Sequence, residues 1–151
     1  MGDVTTAENL VRVLVIEDNV DDSELLLRQL EKSGMASHVK FISDGREALD
    51  FLTVDAVASG TSELIAILLD LRLPSVSGIE ILRRIRQHDR LQSLPVIVMT
   101  SSNDPQDLEE CRRLNVTHYV SKPITFASFS KAVADVFHLP KTSPAPGGGI
   151  E

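Results

Sequence analysis

Val13-Leu14-Val15-Ile16-Glu17-Asp18 sets four apolar residues, three of them β-branched, directly against two carboxylates. A short unbroken apolar run of this kind predicts a strand buried on both faces, as in a parallel sheet. The pattern recurs in Ile65-Ala66-Ile67-Leu68-Leu69 before Asp70, and in Val96-Ile97-Val98-Met99 before Thr100. It recurs again in His118-Tyr119-Val120, two residues before Lys122, and His38–Ile42 reads as a further, less buried strand. Helical spacing fills the intervals, so strand alternates with helix and the sheet is expected to be parallel. Parallel strands share one direction, and the residues after them emerge along a common edge, where open α/β sheets bind ligands. Topology alone thus gathers Glu17, Asp18, Asp70, Thr100 and Lys122. Three carboxylates, a hydroxyl and an ammonium suit the handling of a phosphoryl group.

The chain of 151 residues fits one domain with a real core. Its net charge of -7 argues against non-specific nucleic-acid binding. No apolar stretch approaches the ~20 residues of a membrane span, and the start lacks a signal-peptide pattern. A single cysteine, Cys111, cannot form an internal disulfide, which points to a reducing cytoplasm.

Local signals place the helices. Asn19 caps a helix over about Val20–Lys32, with Leu26, Leu27 and Leu30 inside and Gly34 as its stop. Asp44-Gly45-Arg46-Glu47 has capping-box spacing ahead of Ala48, Leu49 and Leu52. Val54–Glu63 reads as a long connection, with Ser59 to Ser62 marking a surface loop. Leu73-Pro74-Ser75 and Gly78 form a turn into a helix marked by Ile79, Leu82 and Ile85, with Arg83, Arg84 and Arg86 on its solvated side. Asp104-Pro105 pairs an N-cap with proline at the first helical position, and that helix runs through Leu108 and Cys111 to Leu114. A last helix starts at Thr125, stapled by Ile124 and Phe129, and ends near Leu139 before Pro140. The divisions expected are a leader over 1–11, a domain over 12–139 and a flexible Pro/Gly tail over 140–151.

Taken in order, Glu17-Asp18-Asn19, Asp70 with Leu73-Pro74 and Gly78, Thr100-Ser101, and Tyr119-Val120-Ser121-Lys122-Pro123 resemble the receiver domains of two-component response regulators. The resemblance covers about residues 10–139. It implies a flavodoxin-like, doubly wound, five-stranded parallel sheet of order 2-1-3-4-5, with the site at the switch between strands one and three. It also implies that Asp70 is the phosphoacceptor, a carboxylate nucleophile that becomes an aspartyl phosphate. Crowded carboxylates repel one another, and a divalent cation relieves that penalty. By analogy Mg²⁺ is held by Asp18 and Asp70, by Glu17 through water, and by the backbone carbonyl of Arg72. Lys122 then pairs with phosphoryl oxygens, Thr100 donates a hydroxyl hydrogen bond, and Tyr119 is the aromatic switch that turns inward. The Lys122–Pro123 bond is often cis in this family.

The implied function is that of a stand-alone regulator taking its phosphoryl group from a histidine kinase and signalling by protein–protein contact. Within the family, Glu17-Asp18-Asn19, Asp21-Asp22 and Thr100 to Pro105 resemble the small regulators paired with bacterial and cyanobacterial phytochromes. That narrower likeness implies a red-light-sensing kinase as partner and a homodimer through the fourth helix, fifth strand and fifth helix. One alternative is a receiver whose output domain is absent from this chain. Another is a phosphatase-like enzyme with an aspartyl intermediate, but that chemistry needs a second aspartate two residues after Asp70, where Arg72 stands. The four histidines lack metal-ligand spacing, and Cys111 reads as a packing residue.

Overall fold

The computed structural model describes residues 11–32, 34, 38–55, 64–89, 91–101, 104–116 and 118–137. The leader up to residue 10, the loop at 59–62, the helix stop at Pro140 and the tail lie outside the described residues. Five strands, β1 (Val13–Ile16), β2 (Val39–Ile42), β3 (Ala66–Asp70), β4 (Val96–Thr100) and β5 (His118–Ser121), form one sheet. All adjacent pairs are parallel, in the order β2-β1-β3-β4-β5. The helices are α1 (Val20–Lys32), α2 (Gly45–Asp50), α3 (Gly78–Gln87), α4 (Pro105–Arg113) and α5 (Phe126–Phe137), and α2 continues into a π-helical turn over Phe51–Asp55. The parallel pairing is that expected from the alternation of apolar runs and helices, and the order is that implied by the resemblance to receiver domains.

The period of two along each strand divides the core. Leu14, Ile16, Ile67, Leu69, Val96 and Val98 face the side covered by α2, α3 and α4, where Ala48, Leu52, Ile81, Leu82, Ile85 and Cys111 meet them. Val13, Val15, Ala66, Leu68, Ile97 and Met99 face the opposite side, against Leu26 and Leu30 of α1 and Phe129 and Ala132 of α5. The three central strands are buried along their whole length, whereas β2, at the sheet edge, is buried only at Ile42. Removing these aliphatic side chains from water, at roughly 1.5–3 kcal/mol each, is the main force holding the layers together.

Caps fall where the sequence puts them. The Asn19 side chain accepts from Asp22 N at 2.9 Å, and Gly34 ends α1 with φ +75. Asp44 accepts from Glu47 N at 3.0 Å, Asp104 from Gln106 N at 2.9 Å, and Thr125 Oγ1 from Ser128 N at 3.1 Å. Ile124 and Phe129 are both buried, as a staple requires.

Several local expectations are corrected. β2 starts at Val39 and not at His38. The helix after Asp44 runs on as a π turn to Asp55, with Thr53 Oγ1 donating to Leu49 O at 2.7 Å. Leu27 is only half-buried, and Leu108 is 42% exposed. On α3 Leu82 and Ile85 are buried as expected, but their companion is Ile81, with Ile79 only half-buried.

The largest departure is Arg86. Arg83 and Arg84 lie on the solvated side as expected, paired with Glu80 at 3.2 and 3.1 Å, and Arg83 also reaches Glu110 at 3.3 Å. Arg86 instead turns inward and donates to the carbonyls of Leu114 (2.6 Å), Leu94 (2.7 Å), Asn115 (2.9 Å) and Gln92 (3.0 Å). One guanidinium therefore ties the end of α4, where Asn115 takes φ 56, to the loop that enters β4. Burial lowers its pKa from the usual arginine value. A planar fork with five donors is the side chain able to span four carbonyls at once.

Candidate functional site

The register brings the polar strand ends together. Ile16 pairs with Leu69, so Glu17, the next residue after β1, lies beside Asp70, the last residue of β3. Backbone hydrogen bonds extend the sheet into the site, from Glu17 N to Ile42 O at 3.1 Å and from Lys122 N to Thr100 O at 2.9 Å. Glu17 and Asp70 are 2% and 3% exposed, while Asp18 stands at the exposed rim. Gly78 closes the turn after β3, its N–H bonded to Leu71 O at 3.0 Å. A Cβ at position 78 would sit 2.4 Å from Asp70 O and 2.5 Å from Leu71 Cα. Both neighbours are backbone, so only glycine lets α3 start this close to the strand that carries Asp70.

Lys122 is the centre of charge. Its Nζ lies 3.0 Å from Asp70 Oδ2, 3.0 and 3.1 Å from the two oxygens of Glu17, and 2.8 Å from Asp22 Oδ2. Burial alone would lower the lysine pKa, but the hydrogen bonds to Asp22, Glu17 and Asp70 outweigh it and hold the ammonium charged above its usual range. Glu17 moves the other way for a carboxylate: burial first, then the charge of Asp70, push its pKa up to about 7 against the pull of Lys122. Asp70 Oδ1 accepts from Arg72 N at 3.0 Å, which bends the chain back around the carboxylate. Asp22 was not among the expected site residues. Its signal was legible as the fourth residue after Asp18 in a helix capped at Asn19, which turns it back toward the strand end.

The three carboxylates of Glu17, Asp18 and Asp70 each offer an oxygen within 4.8 Å of the others. An all-oxygen set, with Glu17 and Asp70 buried side by side and the Glu17 carboxyl pKa pushed up by burial and then by the charge of Asp70, fits a hard divalent cation with open positions for water. No other group of His, Cys, Asp and Glu among the described residues is so arranged. His118 pairs with Asp135 of α5 at 3.3 Å, away from any such cluster. Burial and the charges of Asp107 and Glu110 push the Cys111 thiol up to about 11, in keeping with a packing residue.

Thr100 ends β4, fully buried, one residue beyond Met99, which pairs with Asp70. Tyr119 pairs with Val98 and packs, half-buried, on the side of the sheet covered by α4. Burial first, then Cys111 and Asp107 of α4, raise its pKa. The Lys122–Pro123 peptide is cis.

A family model described as the response regulator receiver domain matches residues 13–134. The probable methanogenesis regulatory protein FilR2 of Methanothrix harundinacea is 36% identical over 135 residues, 89% of this chain and 86% of that protein. The structure of the bacteriophytochrome response regulator RtBRR superposes with a TM-score of 0.74 at 37% identity, over 93% of this chain and 86% of that one. The Mn²⁺-bound form of response regulator Rcp1, a protein of Synechocystis sp., gives 0.72 at 30% identity, over 91% of this chain and 99% of that one.

Proposed function

Because this chain belongs to the response regulator receiver domain family, a family of phosphorylation-dependent signalling modules, we propose that Asp70 accepts a phosphoryl group from a histidine kinase and that the altered surface binds a protein partner. The observation that carries this reading is a buried carboxylate at a strand end, 3.0 Å from a lysine ammonium and ringed by further carboxylates. An Asp70 oxygen attacks phosphorus as the bond to the kinase histidine breaks, and the electron pair of that bond returns to the imidazole. The proposed cation is Mg²⁺, which Asp18, Asp70 and the Arg72 carbonyl would hold directly and Glu17 through water. When bound, it neutralises phosphoryl oxygens and the crowded carboxylates. That the relative Rcp1 has a Mn²⁺-bound form supports a divalent cation as ligand of this chain. Lys122 supplies the mobile cation for the remaining oxygen, and Thr100 the hydroxyl donor. The protein acts as a regulator and not as an enzyme on other substrates.

The receiver is proposed to span residues 12–139, between a leader and a tail. Likeness to a bacteriophytochrome regulator favours a phytochrome kinase as donor, and a cytoplasmic setting and a homodimer through α4, β5 and α5 are part of the same proposal. Among the described residues no helix is long and apolar enough to cross a membrane. The decisive experiment is a timed phosphotransfer profile against purified histidine kinases, one of them a bacteriophytochrome. Fast Mg²⁺-dependent transfer from that kinase, ahead of the others, is the expected result. Transfer at one slow rate from every kinase would refute the pairing.

Signal output is proposed to run through Thr100 and Tyr119. Phosphate adds charge and acceptor oxygens at the end of β3, and a Thr100 drawn toward them leaves room for the Tyr119 ring beside α4. Thr100→Ala should therefore still accept phosphate but lose the change in association that beryllofluoride causes in the parent, read by light scattering. An unaltered beryllofluoride response in Thr100→Ala would rule out this relay.

A further inference from the structure

Asp22 makes the shortest of Lys122's carboxylate contacts, yet it belongs to none of the groups given a task above. Its Oδ2 is 2.8 Å from Nζ, against 3.0 Å for Asp70 and for the nearer Glu17 oxygen. An ammonium has three N–H donors, and these three carboxylates employ all of them. The three differ in burial: the side chains of Glu17 and Asp70 are 0% and 4% exposed, that of Asp22 24%. They differ also in their attachment. Glu17 and Asp70 stand at strand ends inside the cluster of carboxylates suited to a cation, whereas Asp22 is in the first turn of α1 and outside that cluster. A carboxylate there is favoured by the helix dipole.

Resting on the phosphoacceptor reading, two of the three anchors weaken during the reaction. Phosphorylation converts the Asp70 carboxylate to an acyl phosphate and removes the charge on the atom Lys122 holds. A cation at Glu17, Asp18 and Asp70 competes with the ammonium for the first and last of these. Asp22 alone of the three is neither phosphorylated nor part of the cation cluster. A lysine carries a flexible four-carbon stem, and an ammonium left to wander must be re-aimed at the moment of transfer. We propose that Asp22 is a positioning residue that keeps the Lys122 ammonium at the end of β3 while its other two partners are drawn away. The phosphoryl oxygens then meet a cation already in position, held from α1.

A double-mutant cycle on initial rates of labelling by acetyl phosphate in saturating Mg²⁺ tests this, read by intact mass and scaled to the folded fraction from thermal melts. Asp22→Asn should slow labelling about tenfold, while Asp22→Glu recovers most of the rate. In a Lys122→Met background, Asp22→Asn should change the remaining rate less than about twofold, because its effect runs through the lysine. Mg²⁺ affinity should be the same in parent and Asp22→Asn. Labelling of Asp22→Asn at or above the parental rate would overturn the proposal, since Asp22 would then be a competitor for the ammonium. So would an undiminished effect in the Lys122→Met background, or a loss of Mg²⁺ affinity matching the loss of rate. A parent that takes no phosphate overturns both this inference and the phosphoacceptor reading; a labelled parent with an indifferent Asp22→Asn overturns this one alone.

Discussion

Asp70→Asn is expected to abolish labelling by acetyl phosphate in Mg²⁺, the largest functional effect any single substitution should have here. The amide keeps the shape of the carboxylate but is no nucleophile toward phosphorus, so no acyl phosphate forms. It also keeps an oxygen for the Arg72 N–H now bonded to Oδ1. The fold should survive. Asp70's charge is the second cause, after burial, of the raised Glu17 pKa, so removing it lets Glu17 ionise more easily and relieves crowding in the cluster. Intact mass should therefore show the phosphoryl increment in the parent and none in the variant, with a melting temperature equal to or above the parent's. Labelling that persists on another residue would move the acceptor elsewhere.

Arg86→Ala should bring the largest loss of stability, about 3 kcal/mol, because hydrogen bonds from charged donors are worth roughly 1.5–3 kcal/mol and four carbonyls lose theirs together. The bonds to Leu114 and Leu94, at 2.6 and 2.7 Å, are partly buried, and water cannot replace them without opening the packing of α3 against α4. The other two are exposed and contribute less, which keeps the total below a simple sum. Arg86→Lys should recover under half of the loss, since a point ammonium cannot span carbonyls from two segments. Urea melts read the result as a lower midpoint at unchanged slope. A midpoint for Arg86→Ala within error of the parent's would mean that the guanidinium only decorates the surface.

The contrast between Arg86 and its neighbours shows where reading a sequence stops. Arg83, Arg84 and Arg86 are alike in type and close in position, and helical periodicity assigns all three to the wet face. What separates Arg86 is four carbonyl oxygens contributed by residues 92 to 115, which no local pattern around position 86 reveals. Leu108 fails the same way in reverse: its spacing suits an inner face, but α4 is covered from one side only, and the sheet meets Cys111 instead. Asp22 belongs with these, its spacing readable but its partner Lys122 a hundred residues away.

Beyond the strand order, which was legible only through the likeness to receiver domains, the sequence by itself determined the direction of the strands, most helix caps and the strand ends that meet at the site. These follow from short-range physics: apolar runs buried on both faces admit only a parallel sheet, and a parallel sheet delivers the residues after its strands to one edge. Tertiary structure alone decided the burial of Glu17 against the exposure of Asp18, the threefold anchoring of Lys122, the inward turn of Arg86 and the near-contact that requires glycine at position 78. Each depends on how closely segments distant in the chain approach, to within a few tenths of an ångström. Hydrogen bonds, ion pairs and steric exclusion all change character over that range, while the pattern of residue types that encodes the fold does not.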